Sequence, residues 1–523
     1  MATDLQIATC KVTSVNPATG EILREFERAS EDEVRAAVAR ARAAQLAWRD
    51  LGLRKRLAAL REFQRRLHNS KSEIADAITR EAGKPRAEAL VTEVLVVLDA
   101  VRFLIDNAHR LLSDEPVPHG NLATKLKSGR LLREPYGVIG IISPWNYPFS
   151  IPATETLAAL AAGNAVILKP SEFTSLAALE LRSLLHAAGV PEGVFQLVVG
   201  DGVTGAALLH SPIDKLVFTG SVATGKRIAA AAAERLLPVV LELGGKDPML
   251  VLDDANVDVA SSAAVWGAFV NAGQACLSVE RCYVHRSLYE AFLAACAEKT
   301  KKLRVGNGMD PETDLGPVIH ERQLRVVESH VQDAKLRGAR VMAGGSRLPE
   351  LGTNFYSPTV LADVTHQMLI MREETFGPVL PVMAFDNDEE AVRLANHSDY
   401  GLAASVWTRD ANRGERLARR VQAGTVMVND VISCFGISEA PHGGWKASGI
   451  GRTHGRFGLE EMVRLKYLDV DRMPGMKKVW WYGYGERFAR QMEGFLDCQF
   501  ARGLGERLRG ALRAARVVGR KQL

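Results

Sequence analysis

The chain has few cysteines for its length, and their spacing is not that of a metal site or a disulfide framework. Six cysteines are scattered over 523 residues, with no CxxC pair and no histidines at metal-ligand spacing. The first residues, MATDLQIATC, lack a basic region followed by an apolar run, so no secretion signal is expected. The cysteines are therefore expected to be reduced thiols, of which at most one or two have a chemical role, and no metal site is predicted.

Long hydrophobic runs are also missing, since no stretch approaches the roughly eighteen apolar residues that a membrane-spanning helix needs. Hydrophobic residues make up 47% and charged residues 24% of the chain, a balance typical of globular proteins. The net charge of +5 is uneven, because residues 501–523 carry seven basic side chains against Glu506. The remaining chain is nearly neutral, which does not favour nucleic-acid binding. We expect a cytoplasmic protein.

The order of hydrophobic patterns predicts an α/β fold. The first hundred residues show helical spacing, beginning with a capping box at Ser30 and Glu33. From about residue 122, short Val- and Ile-rich runs alternate with helical stretches such as Leu176–Ala188, which is typical of βαβ units and a mainly parallel sheet. A second set of strand and helix signals covers about 280–430. The first set of predicted strands comprises Val138–Ile142, Ala165–Leu168, Phe195–Val199, Leu216–Phe218, Val239–Leu243 and Met249–Leu252.

Two glycine-rich loops compete as phosphate-binding sites. Residues 200–205 match G-x-G-x-x-G after a predicted strand, but no acidic residue is convincingly placed about twenty positions later to bind a ribose. Residues 218–225 follow another strand and lead into a helix predicted over Lys226–Ala233, whose N-terminal amides could face a pyrophosphate. Each loop is equally consistent with a tight strand-to-helix turn.

Reactive side chains stand at unusual places in the pattern. Cys276 follows glycine and small residues, outside the regular helix, where its sulfur could be exposed to a ligand. Glu242 interrupts an apolar strand, and a buried carboxylate is costly unless it has a partner or a task. Asn146 and Lys169 follow two predicted strands. For the cysteine, a buried residue without chemistry is the alternative.

Taken together, these residues resemble the aldehyde dehydrogenase superfamily. Eight blocks occur in the family's order and cover roughly residues 12–470, which makes the resemblance far more specific than any single motif. The blocks are PWNYPF (144–149), AAGNAVILKPSE (161–172), FTGSVATGK (218–226), LELGGKDP (241–248), FVNAGQAC (269–276), EETFGPVLPV (373–382), GTVMVN (424–429) and PHGGWKASGIGR (441–452).

The resemblance implies oxidation of an aldehyde to the free acid through a thiohemiacetal and a thioester on Cys276. The site is expected to favour the thiolate, because a free thiol has a pKa of about 8.5. Asn146 and the backbone N–H of Cys276 are the implied oxyanion donors, and Glu242 the base that activates water. Lys169 belongs to the same catalytic set.

The resemblance also implies NAD as cofactor, with NADP as a less favoured alternative. Lys169 and Glu172 would bind the adenosine ribose, where a carboxylate repels a 2′-phosphate. Because the family's pyrophosphate loop corresponds to the second glycine loop, residues 200–205 are no longer the favoured pyrophosphate site. The second loop would contribute Gly220, Ser221, Thr224 and Gly225, and the nicotinamide side would have Trp145, Glu374 and Phe376.

The implied architecture is a Rossmann-like cofactor domain (1–117 and 136–244), an α/β catalytic domain (245–445) and an oligomerisation arm with a C-terminal strand (118–135 and 446–475). A hairpin near 118–135 would pair with a strand around 463–473. Family members are homodimers or homotetramers. Residues 476–523 lie outside the resemblance and are predicted to form a basic amphipathic helix.

Several alternatives stay open. The substrate is a small-molecule aldehyde, and a semialdehyde such as succinic semialdehyde would need an anion clamp that the sequence does not place. A catalytically silent structural or binding member is the alternative from another class, although Cys276 and Glu242 are both present. His442 stands where many members carry Phe, and it is either a loop residue without a role or a functional departure. Residues 480–520 either bind an anionic membrane surface peripherally or pack on the enzyme's own dimer.

Overall fold

A computed structural model describes residues 11–121, 124–478 and 480–515 of the chain. The chain divides into two compact units, one formed by the described parts of 1–112 and 134–464, the other by those of 113–133 and 465–523. The N-terminal residues in which no signal was recognised and the last basic residues of the tail, Arg516, Arg520 and Lys521, lie outside the described residues.

The strands have the following bounds: β1 Lys11–Val15, β2 Ile22–Glu27, β3 Glu115–Val117, β4 Lys127–Pro135, β5 Val138–Ile142, β6 Ala165–Lys169, β7 Phe195–Leu197, β8 Lys215–Thr219, β9 Val239–Glu242, β10 Asp247–Val251, β11 Val279–His285, β12 Arg340–Ala343, β13 Thr359–Ala362, β14 Val379–Phe385, β15 Ala403–Trp407, β16 Thr425–Val428, β17 Gly449–Ile450 and β18 Val463–Asp471.

The helices have the following bounds: α1 Glu31–Asp50, α2 Leu53–Asn69, α3 Lys71–Ala82, α4 Arg86–Ala89, α5 Leu95–Leu112, α6 Ser150–Ala162, α7 Ser175–Ala187, α8 Gly202–His210, α9 Val222–Ala233, α10 Val257–Phe269, α11 Tyr289–Lys301, α12 Glu321–Leu336, α13 Leu369–Arg372, α14 Asp388–Asn396, α15 Ala411–Ala418, α16 Gly455–Glu460, α17 Glu486–Phe500 and α18 Leu504–Ala514.

Two sheets form the centre of the larger unit, and both are mainly parallel, as the alternating pattern predicts. The first has the order β17-β9-β8-β5-β6-β7, in which β17 runs antiparallel to β9. The second has the order β12-β13-β14-β11-β10-β15-β16, in which β12 is antiparallel to β13. Strands such as β5 and β6 are buried along their whole length, because helices cover both faces of a parallel sheet. The predicted boundary at residue 244 falls between the two sheets, but the domain division itself stays a prediction.

The N-terminal segment is partly as predicted. The capping box is confirmed, because the Ser30 side chain accepts from the Glu33 backbone and the Glu33 side chain accepts from that of Ser30. Helix α1 then buries Val34, Val38 and Trp48. The expectation that the first hundred residues are only helical is wrong, since β1 and β2 form an antiparallel hairpin. The strand pattern of this segment is hard to recognise in the sequence, because charged side chains interrupt it.

The smaller unit contains a sheet of order β18-β4-β3 and the helices α17 and α18. The strand pairing expected between the region near 118–135 and that around 463–473 is therefore present. The single helix predicted for the tail is wrong, because Gly503 separates two helices. No helix in the described ranges combines the length and the apolar character that crossing a bilayer requires.

Candidate active site

The candidate residues of the first sheet meet at one edge because they follow parallel strands. Asn146 lies in the loop after β5, Lys169 ends β6, and Glu242 ends β9. Since the carboxyl ends of parallel strands share one edge, residues far apart in sequence come together there. The backbone N–H of Gly220, after β8, donates to the carbonyl of Glu242 (3.0 Å). The structure thus places these four predicted positions on one side of the sheet.

Cys276 lies in a constrained loop between α10 and β11. Asn271 and Ala272 have left-handed backbone angles, with φ of 54° and 55°, which non-glycine residues adopt only when surrounding contacts hold them there. Here the N–H of Asn271 donates to a carboxylate oxygen of Glu88 (3.1 Å), and its side-chain Nδ2 donates to the carbonyl of Asn146 (2.8 Å). Gly273 follows with φ of 70°. The loop that presents the sulfur is therefore fixed before any ligand binds.

Asn146 is held against the Cys276 loop from both its backbone and its side chain. Its buried Nδ2 donates to the carbonyl of Gln274 (3.0 Å), and its carbonyl accepts from Asn271. A primary amide carries two N–H donors, and this hydrogen bond uses one of them. The other remains for a group bound between Asn146 and the loop.

A fully buried ion pair supports the Asn146 loop, and sequence reasoning missed it. Lys84 Nζ lies 2.7 Å from a Glu93 carboxylate oxygen and also donates to the carbonyl of Asn146 (2.8 Å). The other oxygen of Glu93 accepts from the N–H groups of Phe149 and Ser150 at the start of α6. Glu93 belongs to a π-helical turn, Leu90–Val94, a feature common at functional sites. In the sequence, Lys84 stands between Gly83 and Pro85, a pattern that indicates only the end of a helix.

The surroundings of Cys276 contradict the expectation that the site favours the thiolate. Burial raises the pKa of the Cys276 thiol well above its ordinary value, and the carboxyl groups of Asp247, Glu374 and Glu242 add to this effect. Cys276 also packs against an apolar cluster that includes Leu277 and Leu402. The expectation comes from the reaction, whereas the fold leaves Cys276 half-buried and close to carboxyl groups. The thiolate of Cys276 is therefore disfavoured in this arrangement.

Glu242 is buried, and neither oxygen of its carboxyl group has a hydrogen-bond partner among the described residues. Burial raises its pKa well above the ordinary value, and the nearby Glu155 raises it further. The neighbouring His442 is neutral, because burial lowers its pKa to about 3. Burial thus disfavours the ionised form of Glu242, and its carboxyl oxygens have unused hydrogen-bonding capacity.

A cavity of about 390 Å³ reaches the Cys276 loop. Tyr147 and Ile151 contribute to its wall from the Asn146 side, and Phe435 and Gly436 close another side. Most of its surface is apolar, and Asp99 is the charged residue in its lining. The full lining is Val91, Thr92, Leu95, Val96, Asp99, Tyr147, Ile151, Trp266, Ala275, Cys276, Leu277, Ile432, Ser433, Phe435 and Gly436. An apolar chain fits this cavity better than a charged one.

The second glycine loop leads into helix α9, which begins at Val222 rather than at the predicted Lys226. The difference arises because Ser221 caps the helix, its side chain accepting from the N–H of Thr224 (3.3 Å). The amides of Val222 and Ala223 come before the first intrahelical bonds, so they can face an anion. A methyl group on Gly225 would lie only 2.5 Å from the buried Leu243, so the helix packs closely on the chain after Glu242.

Lys169 and Glu172 lie together after β6, as the resemblance implies. Lys169 Nζ is 3.5 Å from a Glu172 carboxylate oxygen, with the lysine buried and the glutamate partly exposed. Burial lowers the pKa of Lys169, and Glu172 opposes this effect. The pair can offer both a donor and a carboxylate to hydroxyl groups.

Trp145 and Phe376 contact each other edge to face, with 5.4 Å between ring centroids. His320, which sequence reasoning missed, lies 5.8 Å from Trp145 and 4.6 Å from Phe173 by the same measure. This aromatic cluster connects the region of Glu172 with Phe376. The sequence does not predict this contact, because His320 stands at the start of a helix without any motif around it.

Glu374 and Phe376 are fixed by backbone hydrogen bonds. A Glu374 carboxylate oxygen accepts from the N–H of Gly245 (2.9 Å), and burial raises the pKa of Glu374 to about 8. Glu280, paired with the buried Lys246, accepts from the N–H of Phe376 (2.9 Å). The segment expected on the nicotinamide side is thus attached to the loop after Glu242.

The first glycine loop, residues 200–205, is closed by the chain itself. The Asp201 side chain caps α8 by accepting from the N–H of Val203 (2.9 Å), and it pairs with Arg28. Thr204 donates to the carbonyl of Ala29 (3.0 Å). A carboxylate already occupies this helix start, so the loop does not suit a pyrophosphate.

Comparison with known proteins agrees with this geometry. The model of the "Aldehyde dehydrogenase family" matches residues 6–468. The 4,4'-diapolycopene aldehyde oxidase of Methylomonas sp is 40% identical over 93% of this chain and 91% of its own. The mitochondrial succinate-semialdehyde dehydrogenase of Oryza sativa subsp. japonica is 39% identical over 87% of this chain and 85% of its own. The NAD+ complex of the aldehyde dehydrogenase from Bacillus cereus superposes with a TM-score of 0.84 at 36% identity, covering 88% of this chain and 93% of that one.

Proposed function

Because the chain belongs to the aldehyde dehydrogenase family, we propose that it oxidises a neutral, apolar aldehyde to the carboxylic acid with NAD as hydride acceptor. Family membership confirms the resemblance drawn from the eight sequence blocks, and the fold class is confirmed with it. The proposed substrate class rests on the apolar cavity at Cys276. Its described lining contains Asp99 but no Arg, Lys or His. A carboxylate on the substrate would be buried there without a counter-ion, which is costly.

Cys276 is the proposed nucleophile. Its sulfur attacks the carbonyl carbon in the thiolate form, which becomes more populated as the pH rises toward its raised pKa. The carbonyl oxygen then becomes an oxyanion, which the remaining N–H of Asn146 and the backbone N–H of Cys276 would stabilise. Losing one such donor commonly costs about 3 kcal/mol of transition-state stabilisation. The rigidity of the loop supports this role, because prepositioned donors need no reorganisation.

NAD would be held by the N-terminus of α9 at its pyrophosphate, by Glu172 and Lys169 at the adenosine ribose, and by Glu374 and the aromatic pair Trp145 and Phe376 at the nicotinamide end. When bound, it supplies the acceptor for the hydride that leaves the substrate carbon. The uncapped amides at the start of α9 and the partly exposed Glu172 support this assignment. A carboxylate at the ribose favours NAD over NADP.

Glu242 is the proposed base that completes the reaction. In its ionised form it takes a proton from water, whose oxygen attacks the thioester carbon while the bond to the sulfur breaks. The products are the free acid and the Cys276 thiolate. The lack of hydrogen-bond partners on both oxygens supports this role, because a buried carboxyl group without a structural task is costly to keep.

A panel of aldehydes tests the substrate class. With NAD, and reduced cofactor followed by its absorbance, we expect a long-chain alkyl aldehyde to exceed succinic semialdehyde in kcat/KM by about 100-fold or more, the cost of an unpaired buried charge. Cys276→Ala should be inactive with every aldehyde. A preference for the semialdehyde would overturn the proposed substrate class while leaving the chemistry intact.

A semialdehyde substrate is the second candidate, and one observation favours it. A neighbouring groove shares Leu95 and Asp99 with the cavity and is lined by Arg61, Arg65 and Arg102. A substrate long enough to extend from Cys276 into this groove could place a carboxylate among these arginines. Arg102→Gln would then lower kcat/KM for the semialdehyde and spare the alkyl aldehyde.

We further propose that the protein assembles as a homodimer or homotetramer in the cytoplasm. Strand β18 carries exposed apolar side chains at an edge of the described β18-β4-β3 sheet, among them Leu465, Tyr467 and Leu468. An exposed apolar edge strand favours pairing with another chain. Light scattering after size-exclusion chromatography would give the mass, and Leu465→Asp should reduce it.

A further inference from the structure

The two helices of the tail, α17 and α18, expose several large apolar side chains. They cross closely at glycines, since a methyl group on Gly494 would lie 2.9 Å from the carbonyl oxygen of Gly510, and one on Gly510 would lie 2.6 Å from that of Gly494. An ion pair of Arg513 with Asp497 joins the helices beside this crossing (2.8 Å). The helix pair is thus closed by small and charged residues.

Three leucines of α18 form an exposed stripe, which we call the leucine stripe: Leu504, Leu508 and Leu512. Their exposed fractions are 74%, 59% and 73%. Residues four positions apart lie on the same face of a helix, so the three form one continuous apolar surface. Leu496 and Phe500 of α17 are exposed as well. Helix α18 therefore has an amphipathic pattern whose apolar side the described fold does not bury.

The charge around the leucine stripe is mainly positive. Residues 501–523 carry seven basic side chains and one acidic one. Among those that the structure describes, Arg502, Arg507 and Arg509 are exposed. Exposed aromatic side chains precede α17, namely Trp480, Trp481, Tyr482 and Tyr484. Leucines flanked by arginines, with aromatic residues nearby, are the composition of helices that lie in the interface of an anionic membrane.

We propose that the leucine stripe docks on the surface of an anionic phospholipid bilayer, with the helix lying in the interface. The alternative is that the leucine stripe packs against the tail helices of a second copy of the chain. Two such tails would bring their net positive charges together, which repels them, whereas anionic headgroups attract each basic side chain. Charge complementarity therefore selects the membrane.

Vesicle binding of the full chain tests this surface without any substrate. Vesicles of phosphatidylcholine alone are compared with vesicles that contain about one third phosphatidylglycerol. We expect the chain to float with the anionic vesicles about tenfold more strongly, and binding to fall as salt rises. The triple variant Leu504→Ser, Leu508→Ser, Leu512→Ser should bind about tenfold less. Equal flotation with both vesicles, or no loss in the triple variant, would overturn the proposal.

Matched variants separate docking from folding and self-association. Serine at Leu46, Leu236 and Leu336, leucines exposed elsewhere in the chain, should leave vesicle binding unchanged. The pair Arg502→Gln and Arg509→Gln keeps the leucines and should still lose about tenfold in binding to anionic vesicles. All variants should keep wild-type activity on a soluble aldehyde. A triple serine variant that changes the oligomeric mass but not vesicle binding would assign the stripe to a second copy and contradict the proposal.

Discussion

Nε2 of His442 lies 3.8 Å from a carboxyl oxygen of Glu242, and both side chains are buried. This is not an ion pair, because burial lowers the pKa of His442 to about 3 and raises that of Glu242. His442 is held in place by two backbone hydrogen bonds with Thr453 and by the ring of Phe435, 5.2 Å away between centroids. A neutral imidazole thus faces a carboxyl group whose pKa is raised, at a distance from which small movements would create a hydrogen bond.

The turnover rate is expected to rise with pH above neutrality. In the proposed mechanism, Cys276 and Glu242 act in their deprotonated forms, and burial raises the pKa of both. The active fraction of each therefore increases as pH rises toward its pKa, by up to about tenfold per pH unit. Burst kinetics report attack by Cys276, and steady-state kcat reports hydrolysis where that step limits turnover. A kcat that falls between about pH 7 and 9 in stable enzyme would contradict this assignment.

Replacing His442 should shift this pH dependence. His442→Phe removes a polar atom that can donate to the ionised Glu242 after a small movement, so the pH at which kcat rises should increase by about one pH unit. His442→Gln keeps a donor and should shift it less. Because both changes alter the same packing, identical profiles for the two variants would show that His442 has only a packing role.

The two glycine loops can be told apart by paired alanine variants. Gly225→Ala places a methyl group against Leu243 and displaces the start of α9, so we expect KM for NAD to rise about tenfold or more. Gly202→Ala is the control, because no atom lies within 4 Å of the added methyl group. The prediction fails if the Gly202 variant loses NAD affinity and the Gly225 variant does not.

Breaking the buried pair beneath the Asn146 loop should be costly. Lys84→Met leaves the fully buried Glu93 without its partner, and we expect the free energy of unfolding to fall by about 3–5 kcal/mol in chemical denaturation. The double variant Lys84→Met, Glu93→Gln should recover part of this loss, because no charge stays buried. For comparison, Lys302→Met breaks an exposed pair with Glu298 and should leave the free energy of unfolding almost unchanged. Equal losses for Lys84→Met and Lys302→Met would argue against a structural role of the buried pair.

Much of the fold could be predicted because its signals are local. The run Val138–Ile142 is buried on both faces and reads as a strand in sequence, and Ser30 with Glu33 marks the start of α1. The hairpin of β1 and β2 could not be predicted in the same way, since its strands carry charged residues and are stabilised by pairing with each other. In the tail, the pattern predicts one basic amphipathic helix, whereas the segment that ends at Gly503 separates two helices.

The candidate site was predictable where residues follow strands and match family blocks, as Asn146 and Glu242 do. Its supporting residues were not. Lys84 and His320 contact residues far away in sequence, as in the 2.8 Å hydrogen bond from Lys84 to the carbonyl of Asn146, and for His442, which the family comparison singles out, the sequence does not indicate its neighbour Glu242. No local pattern encodes such a contact, so these partners appear only in the fold.

The most direct test of the account is the burst of reduced cofactor formed by Glu242→Gln in a rapid-mixing experiment. Glutamine keeps the size of the side chain but cannot accept a proton from water. We predict one reduced cofactor per site and then a stalled enzyme, with the acyl group attached to Cys276 by mass spectrometry. Continued turnover of this variant, or an acyl group found on another residue, would contradict the roles assigned to Glu242 and Cys276.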